Sequence, residues 1–409
     1  MKRRKNPQNS SIINNHLTQI SEFNYLPPEI WTQIFAKLPA KTLLNLSCVC
    51  KSWCSIIDNP DFIHLHLQIS QISNSGNNNR LVVALESLGY CKNQESGYLL
   101  TVRHLETLQE TGLIFRKCDL HSYHIIGSCN GLIFADRTDV PHFILRELRL
   151  WNPCICKSLV IPDCPFPLSL LENAVYVFGY APVSKDYKVV AIASEKGVSE
   201  PARKMNLAVY TLRDQQWTVR NDGLNVSFPN GIEMFRAYYR LSAAILLNGV
   251  AYWLGNVDKD RNELTHLGCF DFNTEEIAFL ELPSSWDESG SCRLLFLLGE
   301  SLAIFRISEV ASSIWVLDQD NKKGSWTQRF SGKSSQNGYE LFRFYLHHKI
   351  FFCESDGGYF ICGNKSYNIA SCEVQVYKGF KSFYLELELY SECLALSKGD
   401  GARDLRFFP

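Results

Sequence analysis

The sequence predicts an α+β multidomain chain: a small all-α domain followed by an all-β propeller of six or seven irregular blades. Three observations predict it. Apolar residues recur at a helical spacing of about 3.6 between Tyr25 and Leu67. The spacing drops to 2 from Leu81 onward. In that second stretch an aromatic-bearing strand returns at intervals of 59, 60 and 45 residues, at Trp151, Tyr210, Phe270 and Trp315. A unit of about 45–60 residues built from three or four strands is the pattern of a propeller blade.

Residues 1–20 begin Lys2-Arg3-Arg4-Lys5 and continue in Asn, Gln and Ser, which predicts a disordered basic tail. The basic run is also a weak match to a nuclear import signal, which fits a cytoplasmic or nuclear location. The helical domain, 21–67, opens with Leu26-Pro27-Pro28-Glu29, where proline suits the first turn and Glu29 complements the helix dipole. Ile30, Ile34 and Leu38 then form one apolar stripe, widened by Trp31 and Phe35, and Pro39 stops the helix. Leu43, Leu44 and Leu46 mark a second helical turn. Val49, Cys50, Trp53, Ile56 and Ile57 mark a third helix, ended by Asp58-Asn59-Pro60, and Asp61 is expected to cap a last piece carrying Phe62, Leu65 and Leu67. About 45 residues in short helices cannot bury this much apolar surface alone. The domain must dock on the rest of the chain or meet a partner.

Residues 68–80 (QISQISNSGNNNR) are polar and predict a linker. The remainder, 81–409, alternates short strands with turn signals. One recurring half is a turn leading into an apolar strand, as at Cys129-Asn130-Gly131 and Leu247-Asn248-Gly249, and Asn-Gly is a strong hairpin signal. The other half is an apolar strand running into a polar turn, as at Leu150-Trp151-Asn152-Pro153, Val209-Tyr210-Thr211 and Phe270-Asp271-Phe272-Asn273. About 320 residues at ~45–50 per unit gives the six or seven blades.

Charge narrows the choice of partner. With 41 Lys+Arg against 42 Asp+Glu, the net charge of -1 gives no field to draw the chain onto nucleic acid or an anionic membrane. No run of about 18 apolar residues could form a spanning helix. The start of the chain has no apolar signal-peptide core, so most of the fifteen cysteines are expected to be buried thiols in a reducing compartment. The pairs Cys48/Cys50 and Cys154/Cys156 do not fit a zinc pattern, and neither a metal nor a cofactor is expected.

The sequence offers little for catalysis. His347 and His348 are neighbours on a strand and point to opposite faces. His64 and His66 lack the i, i+4 spacing of joint ligands on a helix. No nucleophile elbow, P-loop or dinucleotide fingerprint occurs. Asp186, Asp271 and Asp318 fall where turn-forming carboxylates are expected. Aromatics at expected loop tips, Trp286, Phe235, Tyr238, Tyr239 and Tyr359, are candidate recognition anchors.

The run Leu26-Pro27-Pro28-Glu29-Ile30, Ile34-Phe35, Leu38-Pro39-Ala40-Lys41-Thr42-Leu43 resembles the first half of an F-box. Cys48-Val49-Cys50-Lys51-Ser52-Trp53, Asp58-Asn59-Pro60-Asp61-Phe62 and His66-Leu67 are similar to the second half in plant members. Ser47 stands where arginine is usual, and Phe35 where leucine is usual. Farther on, Gly127-Ser128-Cys129-Asn130-Gly131-Leu132, Leu150-Trp151-Asn152-Pro153, the stretch Phe178-Gly179-Tyr180 through Asp186-Tyr187-Lys188-Val189-Val190, and Leu247-Asn248-Gly249-Val250-Ala251-Tyr252-Trp253 resemble the plant F-box-associated, kelch-like domain.

That resemblance implies a non-enzymatic substrate receptor. Its F-box would bind a Skp-type adaptor, and through it cullin and RING subunits, while the propeller would hold a protein target for ubiquitination. The implied adaptor residues are Leu26, Pro27, Ile30, Ile34, Leu38, Pro39, Leu43, Val49 and Trp53. Leu26, Pro27 and the Pro39–Leu43 corner are expected contacts, and Trp53 is expected to be partly internal. Pollen S-locus F-box proteins, which recognise a self-incompatibility ribonuclease, share this architecture and stand as an alternative. A propeller oxidase and a lectin-like glycan binder are the alternatives of other classes.

Overall fold

The computed structural model describes residues 26–76 and, within 81–404, the strands with their shorter turns and coils. The chain opens with four helices, α1 (Pro28–Phe35), α2 (Ala40–Ser47), α3 (Lys51–Ile57) and α4 (Pro60–Gly76). Prolines set the starts of three of them: Pro28 is the first residue of α1, Pro39 precedes α2, and Pro60 opens α4. The fixed φ of proline suits a first turn, where its missing N–H has no intrahelical role.

Asp61 was the expected cap of α4, but Asn59 takes that role. The Asn59 side-chain oxygen accepts the Asp61 N–H at 2.8 Å, and its carbonyl accepts the Ile63 N–H at 2.9 Å. Nor do residues 68–80 form a linker from their start, because α4 continues through them to Gly76. A docked helix needs only one apolar stripe. Ile63 and Ile69 lie against the core while Gln68 and Gln71 stay exposed, so the polar composition reflects one face of a helix.

Twenty-eight strands are described. The first sheet holds β1 (Leu81–Leu88), β2 (Gly97–His104) and β3 (Glu110–Cys118). The second holds β4 (Tyr123–Cys129), β5 (Leu132–Asp139), β6 (Ile144–Asn152) and β7 (Lys157–Ile161). The third is β8 (Val175–Ala181), β9 (Asp186–Ser194), β10 (Met205–Thr211) and β11 (Gln216–Arg220). After β12 (Ile232–Met234) comes a fourth sheet of β13 (Ile245–Leu247), β14 (Val250–Leu254), β17 (His266–Asp271) and β18 (Glu276–Glu281), interrupted by β15 (Asn256–Asp258) and β16 (Glu263–Leu264). The fifth is β19 (Cys292–Leu298), β20 (Ser301–Ile307), β21 (Ala311–Asp318) and β22 (Ser325–Lys333), and the sixth β23 (Phe344–Leu346), β24 (Lys349–Cys353), β25 (Tyr359–Gly363) and β26 (Val374–Tyr377).

The ring closes through β27 (Leu385–Tyr390), which pairs with β1 in the order β27-β1-β2-β3. Neighbouring blades touch in sequence around the ring: β27 on β4, β4 on β8, β8 on β14, β13 on β19, β19 on β23, and β23 back on β27. This is a six-bladed propeller. The strand β28 (Arg403–Asp404) adds an outer fifth strand beside β7. The segment around β12 and the β15–β16 pair, which form an extra three-stranded sheet, β12-β15-β16, outside the ring, lengthen the interval from Tyr210 to Phe270.

The turns repeat closely. Asn130-Gly131 and Asn248-Gly249 have φ of 50° and 86°, and 52° and 79°, the paired positive values of a tight hairpin turn. Four-residue turns after β6, β8, β10 and β17 each end on a left-handed residue, Cys156, Lys185, Gln215 and Glu275, with φ between 52° and 58°. Antiparallel order puts all six of these turns on one face of the ring. Leu81, at the start of β1, pairs with Tyr390, at the end of β27, so the propeller also begins and closes on that face. The extra sheet continues β14 and precedes β17, which places it on the opposite face.

Candidate protein-docking site

The helical domain has two different sides. Inward, Trp31, Phe35 and Trp53 form an aromatic cluster, with Trp31–Trp53 centroids at 4.8 Å and Phe35 edge-on to Trp53 at 5.3 Å. Phe35 is buried, so the departure from the usual leucine supplies the ring at the centre of this cluster. The other departure, Ser47, closes a local bond by donating its hydroxyl to the Leu44 carbonyl at 2.7 Å.

Outward, α1 shows apolar side chains to solvent. Leu26, Ile30 and Ile34 are each about 40% exposed, and Val49 is 62% exposed. Ile30 and Ile34 sit one turn apart on one helix face. A helix that buries one apolar face and exposes another carries a surface that favours covering by a partner. Of the implied adaptor residues, Leu26, Pro27, Ile30, Ile34, Pro39 and Val49 are exposed. Leu38 and Trp53 are half-buried and pack against the core. Leu43 is fully buried, so the Pro39–Leu43 corner offers Pro39, Lys41 and Thr42 to a partner while Leu43 anchors α2 inward.

The opposite side of the helical domain is seated on the turn-bearing face of the propeller. Phe35, Ala40, Leu43, Ile57, Phe62 and Leu67 share one continuous core with Leu132, Trp151, Cys154, Tyr187 and Leu394. Polar contacts fix the seat. Gln71 donates its amide to Asn130 Oδ1 at 2.7 Å, and Lys185 Nζ meets Asp61 at 3.0 Å. Tyr180 Oη lies 2.7 Å from His64 Nδ1, and Tyr187 donates its hydroxyl to the Asn130 carbonyl at 3.2 Å. His64 and His66 point to different partners, His66 Nε2 lying 2.8 Å from the Leu38 carbonyl, in keeping with separate structural roles.

Around this seat three thiols, Cys129, Cys154 and Cys393, are buried. Burial pushes the Cys393 thiol up to about 12. Burial also drives Cys129 and Cys154 well above the ordinary thiol range, with the neighbouring Cys393 adding to the rise in each. Protonated buried thiols make poor nucleophiles and poor metal ligands. Among the described residues no group of three or more His, Cys, Asp or Glu is placed to hold a metal. No described helix is long and apolar enough to cross a membrane. His347, His348, Trp286, Phe235, Tyr238 and Tyr239 lie outside the described residues, and Tyr359 begins β25.

The molecule is a six-bladed ring with a helical domain on one face, itself bearing apolar side chains open to solvent. The family comparisons specify it. The F-box associated beta propeller domain matches residues 100–390, and the F-box domain matches residues 23–65. The chain belongs to the family of F-box proteins with an F-box-associated β-propeller domain. An F-box/kelch-repeat protein of Arabidopsis thaliana is 25% identical over 312 residues, covering 75% of this chain and 79% of the relative. Two further Arabidopsis thaliana F-box proteins are 24% identical over 319 residues (75% and 72% of the two chains) and 25% identical over 323 residues (74% and 63%). The chain thus spans between 63% and 79% of these relatives' own lengths. Among solved structures, the Aleuria aurantia lectin covers 74% of this chain at 11% identity with a TM-score of 0.36. A likeness that distant says nothing about what this chain binds.

Proposed function

We propose that this chain is the target-selecting subunit of a Skp–cullin–F-box ubiquitin ligase. The observation that carries the reading is the exposure of Leu26, Ile30, Ile34 and Val49, on a domain whose other side is already committed to the propeller. A Skp-type adaptor would cover these side chains and bring cullin and RING subunits with it. The chain itself is non-enzymatic in this reading. It raises the effective concentration of a bound protein target near an activated ubiquitin.

The target would bind the propeller face away from the F-box. The turn face is occupied by the helical domain, whereas the opposite face carries the inter-blade connections and the extra sheet β12-β15-β16. The test is co-purification of the full chain with a Skp-type adaptor. Leu26→Ala combined with Pro27→Ala should abolish capture while the circular dichroism spectrum stays that of the wild type. Wild-type capture by that double variant would sink the proposal.

A further inference from the structure

Residues 391–397, which follow β27, touch both parts of the molecule. Glu392 Oε2 accepts the backbone N–H of Ala40, the first residue of α2, at 3.3 Å. The buried Asn152 side chain at the end of β6 donates to the carbonyls of Cys393 (3.0 Å) and Ala395 (2.7 Å), while its own oxygen accepts the Cys154 N–H at 3.1 Å. Cys393, Leu394, Ala395 and Leu396 are buried in the same core as Phe35, Ala40 and Leu43.

Two backbone features show how tightly this stretch is held. A Cβ at Gly131 would stand 2.1 Å from the Ser391 carbonyl oxygen and 3.0 Å from Cys393 Sγ, so the β4–β5 turn and the segment touch backbone to backbone. Leu396 has φ of +68°, a left-handed conformation that a leucine keeps only where its surroundings impose it.

Topology gives these contacts their meaning. The strand that closes the ring, β27, is followed at once by the residues that fix the F-box. We infer that residues 391–397 are a latch: closing the propeller and seating the F-box are one cooperative event, and the two parts move as a single body.

The test is hydrogen exchange on the full chain, comparing wild type with Glu392→Ala, Glu392→Gln and Asn152→Ala. The informative segment is α3, whose backbone bonds lie within the F-box, as with Asp58 N–H to the Cys54 carbonyl at 2.9 Å. If the latch couples the parts, Glu392→Ala speeds exchange in α3 and in the β4–β5 turn together, by about tenfold or more, while the β17–β18 hairpin keeps its wild-type rate. Glu392→Gln, which keeps an acceptor oxygen, should restore most of the protection. Unchanged exchange in α3 when 391–397 has loosened would overturn the inference, because the contact would then be local. Should Asn152→Ala fail to fold, the two Glu392 variants carry the decision alone.

Discussion

Tyr180 Oη and His64 Nδ1 meet at 2.7 Å, with their rings stacked at 6.0 Å and 15°, so one hydrogen bond joins the third propeller blade to the last F-box helix. Burial, with Asp186 and Cys129 nearby, pushes the Tyr180 hydroxyl up to about 12, and it keeps its proton at neutral pH. Tyr180→Phe removes the bond and leaves the ring packing in place. The expected cost is about 1 kcal/mol, seen as a drop of roughly 2 °C in melting temperature. An unchanged melting curve would show that water replaces the lost partner at no cost.

Leu43 and Ile34 should separate folding from docking. Leu43 is fully buried, and Leu43→Ala should destabilise the chain by about 2–5 kcal/mol. Ile34 is 40% exposed on α1, and Ile34→Asp should leave stability within about 0.5 kcal/mol while weakening adaptor capture at least tenfold. Chemical denaturation beside an adaptor titration reads both. Equal effects of the two variants on capture would place the contact elsewhere on the domain.

Glu275 ties blades three and four through charge. Its carboxylate meets Lys188 Nζ at 2.8 Å and also accepts from Arg220. Burial alone would raise its pKa, but the hydrogen bonds from Lys188 and Arg220 outweigh burial and hold it below the ordinary glutamate value. A carboxyl depressed in this way adds stability above its unfolded pKa and loses it as pH falls through the folded value. Glu275→Ala leaves Lys188 buried without this carboxylate and should cost on the order of 3 kcal/mol at neutral pH. The gap to wild type should narrow as pH falls below the ordinary glutamate range, where the unfolded chain takes up the proton first and the folded carboxyl follows at lower pH. Urea unfolding at neutral and acid pH checks it, and a pH-independent gap would rule out the ion pair as the cause.

Gly179 and Phe272 interlock. A Cβ at Gly179 would lie 2.2 Å from the buried Phe272 ring, which itself packs edge-on to Phe270 at 5.1 Å. Gly179→Ala should therefore cost about 1–3 kcal/mol by overpacking. Adding Phe272→Leu should cost less than the sum of the two single changes, since the clash is removed with the ring. Strict additivity in that double-mutant cycle would show that the backbone, not the ring, absorbs the strain.

The features legible in the sequence are those encoded locally. Asn130-Gly131 and Asn248-Gly249 announce their hairpins because positive φ at two successive positions selects those residues. Strands such as β6 and β10 announce themselves through apolar runs ending in a turn. The apolar periodicity of α1 was readable, but not its division into exposed Ile30 and Ile34 and inward Trp31 and Phe35, which in sequence form one widened stripe.

Long-range relationships were not readable. Glu392 reaches Ala40 across 352 positions, and Gln71 reaches Asn130 across 59, with no signal at either end. Residues 68–76 looked like a linker because polar neighbours such as Gln68 and Gln71 hid a helix that docks through Ile69. Leu43 could not be told from its neighbours Leu44 and Leu46 until the propeller beneath α2 was in place. Nor was it readable that β12, β15 and β16 lengthen one unit without adding to the ring.

The propeller starts and finishes beneath the F-box, with Leu81 paired to Tyr390. The opposite rim therefore bears neither the joint between the two domains nor the join of the ring. Insertions and substitutions there leave the seat of the helical domain undisturbed. One end of the molecule can therefore stay constant while the other changes.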